Sequence, residues 1–186
     1  KNYAEPVKNT DASIIMPPNL EPFFEATNSS PISVKGIADP KVKVELFLNG
    51  DLTDNTETSE NGGFEFNDIL LKQGNNSLYA IVVSNNKYSD KSQTYSVFYK
   101  KSLPKLEILK PENDSKVTGD KKIVEIAGNT DTDSNITVND HLIVVNSDGT
   151  FGYSYPLNDG DNLLKIVATD PAGNQTAVER NVNYSL

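Results

Sequence analysis

The second half of this 186-residue chain repeats the first in a collinear series of short matches. At an offset of 92, Val34-Lys35-Gly36 falls on Ile126-Ala127-Gly128 and Asp39 on Asp131. At 90, Leu48-Asn49-Gly50 meets Val138-Asn139-Asp140, and at 87 Gly62-Gly63-Phe64 meets Gly149-Thr150-Phe151. Gly74 to Leu78 meets Gly160 to Leu164 at 86, and Val97-Phe98-Tyr99 falls on Val182-Asn183-Tyr184 at 85. The offset changes only at loop-like positions, as insertions in a shared fold require. A period of about 85–90 residues is the size of one domain rather than of a solenoid repeat. Two homologous modules are therefore expected, 13–101 and 102–186, behind an N-terminal lead-in of residues 1–12. The boundary at Lys100-Lys101-Ser102-Leu103-Pro104 is short and carries a Pro, which predicts a stiff joint.

Inside each module the hydrophobic pattern has the period of strands. Val124 and Ile126 alternate with Glu125, Phe151, Tyr153 and Tyr155 alternate with small or polar residues, and Leu164, Ile166 and Ala168 form one face of 162–169. Asn139-Asp140 and Asn49-Gly50 are two-residue hairpin signals, and Asp170-Pro171-Ala172-Gly173-Asn174 is a dense turn cluster. No stretch sustains a helical period, and strands recur roughly every 8–12 residues. The fold class is all-β: two tandem seven-stranded immunoglobulin-like β-sandwiches.

Five stretches of the second module carry a family resemblance: Leu106 to Pro111, Gly128, Asn146 to Phe151, Leu157 to Asn162, and Ala168 to Asn174. Together they resemble the bacterial immunoglobulin-like domain of glucodextranase type, found beside enzymes and in surface proteins. The first module fits less closely, with Ser84 to Ser89 in place of the Asp-x-Ala-Gly-Asn turn and Gly62-Gly63 in place of Gly-Thr. These motifs specify turns and strand packing and place no catalytic residue. The resemblance implies an extracellular or cell-surface accessory module.

Composition narrows the function further. A net charge of −9, divided as −3 over residues 1–104 and −6 over 105–186, excludes a nucleic-acid partner, because phosphate neutralisation needs clustered Lys and Arg. With no cysteine there is no disulfide framework and no thiolate metal site. The longest apolar runs, Ala80–Val83 and Leu142–Val145, are far short of the about 20 residues of a membrane span. The chain starts at Lys1, so a processed or trimmed piece is expected, reaching a membrane only through an anchor outside it.

Catalysis has little to work with. His141 is the one histidine, placed at a strand start after a turn, and no G-x-S-x-G elbow occurs. No catalytic residue and no organic cofactor are expected. One ion is considered: Asp131, Asp133, Asp148 and Asp170 lie in three loops that meet at the entry end of such a sandwich, near the joint, and Ca²⁺ takes oxygen ligands of this type. Against it, Asp in turns commonly bonds backbone amides and needs no ion. A partner surface is the second candidate. If Leu46 and Leu48 face inward like Ile136 and Val138, the opposite side of the first module shows Phe47, Tyr79, Ile81 and Val83 where the second shows Thr137, Lys165, Val167 and Thr169. Apolar patches of this type mark protein partners or self-association unless the lead-in, with Phe23 and Phe24, covers them. A glycan would need an exposed flat aromatic near a loop tip, with Tyr88 the candidate. The leading expectation is a spacer or presentation module of a prokaryotic surface protein, monomeric or weakly self-associating. Adhesion to a protein or glycan, or service to an enzyme domain elsewhere in the parent chain, are the alternatives.

Overall fold

In the computed structural model, which describes residues 14–186, all regular elements are strands. The expected lead-in of residues 1–12 lies outside the described residues. In chain order the first nine strands are β1 (Asn19–Leu20), β2 (Ala26–Thr27), β3 (Ile32–Ile37), β4 (Lys43–Leu48), β5 (Asp51–Glu57), β6 (Gly63–Ile69), β7 (Gly74–Ser84), β8 (Lys87–Tyr88) and β9 (Tyr95–Tyr99). Eight more follow: β10 (Leu106–Lys110), β11 (Ser115–Thr118), β12 (Ile123–Thr130), β13 (Asn135–Val138), β14 (His141–Ile143), β15 (Thr150–Pro156), β16 (Gly160–Thr169) and β17 (Gln175–Ser185). They form four sheets: β1-β3-β6, β2-β9-β7-β4-β5 with β8 on β7, β10-β12-β15, and β11-β17-β16-β13-β14. Contacts group the described chain into two compact units, residues up to Phe24 with Ser30–Val97, and Glu25–Ser29 with Phe98–Leu186.

The first stretch of each unit is divided between its two sheets. β1 and β10 pair antiparallel with β3 and β12, whereas β2 and β11 pair parallel with β9 and β17. Pro22 and Pro111 lie between the halves of these split strands. Proline has no N–H for the ladder, so the chain leaves one sheet there and joins the other. The strand Ser115–Thr118 lies in a stretch for which the sequence predicts no strand.

Alternation sets which side chains are inside. Val44, Leu46 and Leu48 on β4 and Leu78, Ala80 and Val82 on β7 are buried, and in the second unit so are Ile136, Val138, Leu164, Ile166, Ala168 and Phe151. Phe64 and Phe151 each lie opposite a glycine, Gly36 and Gly128, across their strand pair. A Cβ on Gly128 would lie 2.6 Å from the Phe151 ring and closer still to the Glu107 carbonyl, and a Cβ on Gly36 would overlap the Phe64 ring and the Asn19 carbonyl. Only glycine lets the neighbouring strand and the phenyl ring approach this closely.

Each unit also carries the same buried carboxamide. Asn76 Nδ2 donates to the carbonyls of Lys72 at 2.7 Å and Gly74 at 3.0 Å, and its Oδ1 accepts from Lys72 N at 2.9 Å. Asn162 Nδ2 donates to Asn158 O at 2.9 Å and Gly160 O at 3.0 Å, and its Oδ1 accepts from Asn158 N at 2.8 Å. Both amides also approach the last strand, at Val97 O and Val182 O. A buried carboxamide satisfied on both ends fixes the turn before the long strand, because backbone groups there would otherwise lack partners.

The strand rows correct one expected alignment. With Asn76 matched to Asn162, Ala80 and Val82 match Ile166 and Ala168. Their partners on the next strand are Leu46 and Val44 in one unit, Val138 and Ile136 in the other. Leu46 therefore matches Val138, not Ile136, and the offset stays at 92 here. Both turn asparagines bond in the same way, Asn49 Oδ1 accepting from Ser77 N at 2.9 Å and Asn139 Oδ1 from Lys165 N at 2.9 Å. The first unit's hairpin is simply two residues longer before its turn. Matching turn to turn hid that extension.

Candidate functional sites

The four aspartates considered for calcium are placed as follows. Asp170 is buried, its side chain 0% exposed, and bonds the turn that it begins. Its Oδ1 accepts from Asn174 N at 2.9 Å and its Oδ2 from Asn174 Nδ2 at 3.0 Å. The Lys100 ammonium lies 3.2 Å from Oδ2. Burial alone would raise the Asp170 pKa, but the bonds from Asn174 and Lys100 outweigh it and hold the carboxyl below the usual range. Lys100 is affected in mirror image: burial would lower its pKa, and Asp170, with the charges of Asp133 and Asp131, raises it instead. Asp131 Oδ2 accepts from Lys105 N at 3.1 Å. Asp148 is exposed and belongs to its own turn, accepting from the Thr150 hydroxyl at 2.7 Å and from Thr150 N at 3.0 Å, bonds that lower its pKa.

Asp170 thus has its cation within the chain, in Lys100, on which the charges of Asp131 and Asp133 also act, while Asp148 is engaged in its own turn. Among the described residues, no three His, Cys, Asp or Glu side chains come together in a way that could hold a metal ion. Lys100 was legible only as part of a charged linker, because its partner is 70 residues away in sequence.

The outward side of β4 and β7 is where the apolar candidates lie. Phe47 pairs with Tyr79, Glu45 with Ile81 and Lys43 with Val83. All four candidates, Phe47, Tyr79, Ile81 and Val83, are half-buried. The Phe47 and Tyr79 rings stack with centroids 4.9 Å apart and planes 3° from parallel, and the Lys91 ammonium sits 4.1 Å over the Tyr79 ring. Beside Val83 and Ile81, Lys43 and Glu45 form an ion pair at 2.7 Å. The stripe is therefore partly covered by its own side chains. Leu52, which pairs with Phe47 on β5, and Tyr88, which pairs with Val83 on β8, are more open, 53% and 67% exposed.

In strand-row terms the Phe47–Tyr79 row corresponds to Asn139 and Lys165 in the second unit, so the aromatic pair sits on the two-residue hairpin extension. There the second unit has a shallow polar cleft of about 280 Å³, lined by Thr137, Asn139, Asp140, Lys165, Val167 and Gln175. Asn139 is fully engaged by Tyr155, Leu163 and Lys165. His141 begins β14, exposed, with its ring 5.2 Å from that of Tyr153.

Sandwich-type units built from a three-stranded and a larger sheet, whose first strand divides between the two, are immunoglobulin- or fibronectin-like modules. Residues 104–185 match the family model of glucodextranase domain B. The resemblance carried by Leu106–Pro111 and the Ala168–Asn174 turn is thereby borne out for the second unit. Over 150 residues the chain is 29% identical to bacillopeptidase F of Bacillus subtilis (strain 168), which takes in 81% of this chain and 10% of that protein. The chain thus spans about a tenth of the length of the curated relative it matches. Among solved structures, the fibronectin(III)-like modules of Clostridium thermocellum CbhA superpose with a TM-score of 0.59 at 14% identity, over 94% of this chain and 92% of theirs. The C-terminal 282-residue fragment of intimin, solved with the intimin-binding domain of its translocated receptor, gives 0.51 at 10% identity, over 89% of this chain and 62% of that fragment. These structural likenesses are likenesses of fold. No helix among the described residues is long and apolar enough to cross a membrane.

Proposed function

We propose that the chain is a tandem of two immunoglobulin-like sandwiches on a seven-strand plan, acting as a non-enzymatic extracellular spacer that presents other parts of a prokaryotic surface or secreted protein. The observation that carries this reading is what the two units share. The duplicated features are internal: the glycine–phenylalanine contact, the buried turn asparagine and the alternating core. The outward faces differ, aromatic in one unit and polar in the other, so the repeat preserves a scaffold rather than a recognition surface. The domain B match and the short span of a long peptidase that the chain resembles support a role as an accessory part.

The second reading is a binding module for a protein or glycan. The exposed Tyr88 and Leu52 beside the stacked Phe47–Tyr79 pair favour it. Stacking favours a protein over a sugar, because a sugar ring packs on a free aromatic face and Tyr79 has Phe47 and Lys91 on its ring. Sedimentation at high concentration together with a glycan array separates the two readings. A spacer sediments as a monomer and leaves the array silent. Saturable binding or dimerisation that Y88A or F47A abolishes would overturn the spacer reading.

A further inference from the structure

We propose that Lys100–Lys105 is a strap latched onto the second unit by charge, with the Lys100 ammonium seated against the buried Asp170 carboxylate as the catch. The strap is attached at both ends. Asn174 Nδ2 donates to Lys100 O at 2.9 Å, Thr176 Oγ1 to Pro104 O at 2.6 Å, and Thr130 Oγ1 to Lys105 O at 2.7 Å. Lys105 N donates to Asp131 Oδ2 at 3.1 Å. Between these anchors Lys101, Ser102 and Leu103 are exposed.

The attachments differ in kind. The neutral hydrogen bonds, part-buried at Lys100 O and Pro104 O and exposed at Lys105 O, are exchanged for bonds to water once the strap lifts. The ion pair is not, because lifting the strap leaves Asp170 buried with only the donors of Asn174, and an unpaired buried carboxylate is costly. The charges of Asp131 and Asp133 bear on the same ammonium. The catch belongs to this unit alone. At the offset of 86 that matches the two buried asparagines, Asp170 corresponds to Ser84, and the first unit has no carboxylate at that place. The strap is thus part of the second unit's cooperative structure, and the latch shields the Lys100–Lys101 and Lys101–Ser102 peptide bonds. A protease needs a segment that can come away from its own fold, so these bonds, though exposed, are cut when the latch opens.

The test is limited trypsin digestion of the full chain under conditions in which opening is fast, following cleavage after Lys101 in every variant, with cleavage after Lys41 in the first unit as reference. K100M, which keeps Lys101 as a cleavage site, is expected to raise strap cleavage about tenfold and D170N by a similar factor, since cleavage tracks the open population. K100R should stay near the wild-type rate. The double variant should be cut no faster than the faster single one, because both remove the same pair. Strap cleavage in K100M within twofold of wild type, or fully additive effects in the double variant, would overturn the latch. If D170N also loses amide protection in β16, the turn itself has failed, and K100M, which leaves the bonds between Asp170 and Asn174 in place, decides alone. The spacer reading does not depend on the result.

Discussion

The last strand is built differently in the two units. In the second, β17 runs unbroken for 11 residues, Gln175–Ser185, pairing with β16 from end to end. In the first, the chain leaves β7 as the short β8 and returns as an irregular run before β9. Two serines complete the ladder there: Ser89 N donates to Val82 O at 2.9 Å while Ser89 Oγ accepts from Val82 N at 2.9 Å. Ser92 does the same with Ala80, N to O at 2.9 Å and N to Oγ at 3.0 Å. A hydroxyl thus replaces a backbone carbonyl where the strand cannot stay straight. The two units keep one interior and differ at edges, turns and outward faces. Divergence is tolerated where water or a local side chain can satisfy the backbone, and not where a ring fills the space over a glycine.

The largest expected effects test the shared interior. F64A and F151A should each cost about 3–5 kcal/mol in their own unit by denaturant unfolding resolved through amide exchange, since both rings are buried. A difference between the units of more than about half that cost would break the comparison. Acid should sharpen it next. The Asp170 pKa is depressed in the fold, so its stabilisation is complete above the unfolded carboxyl value of about 3.9 and is lost as pH falls through the folded value. The Lys100 pKa is raised, so its share is complete below about 10.4 and is lost as pH rises through the folded value. Unfolding midpoints from pH 7 down to 2 should therefore fall for the second unit by more in wild type than in D170N, and parallel curves would contradict this. S89A and S92A come next, at about 1–2 kcal/mol each, because each leaves a β7 amide without its acceptor. Unchanged exchange at Val82 and Ala80 would show that the serines do not close the edge. The smallest is the coupling of Phe47 and Tyr79, about 0.5–1.5 kcal/mol in a double-mutant cycle.

The fold was largely legible because its signals are local and periodic. Alternation in Ile123–Ala127 and Phe151–Tyr155, the Asn-Gly and Asn-Asp turns, and the collinear matches gave the strands and the duplication. What stayed hidden depends on partners far along the chain. Nothing near Ser115–Val117 announces that it pairs with Val182–Tyr184, and a two-residue hairpin extension leaves the inward and outward parity intact, so the pattern could not reveal it. The same holds for the candidate sites. The sequence brought Asp131, Asp133 and Asp170 toward one end of the unit, but the ammonium paired with Asp170 comes from a residue read as linker. It also placed Phe47 and Tyr79 on one face without the stacking that partly covers them.

The central claim is that one buried framework is used twice, and the matched asparagines test it most directly. Amide exchange should be measured on the full chain for N76A and N162A. Each substitution leaves the backbone of its turn without partners, so each should lower protection throughout its own long strand, β7 or β16, by a similar amount of about 2 kcal/mol, and leave the other unit unchanged. If one variant loses protection only in its turn while the other opens its whole unit, the two copies do not rest on the same framework, and the account fails.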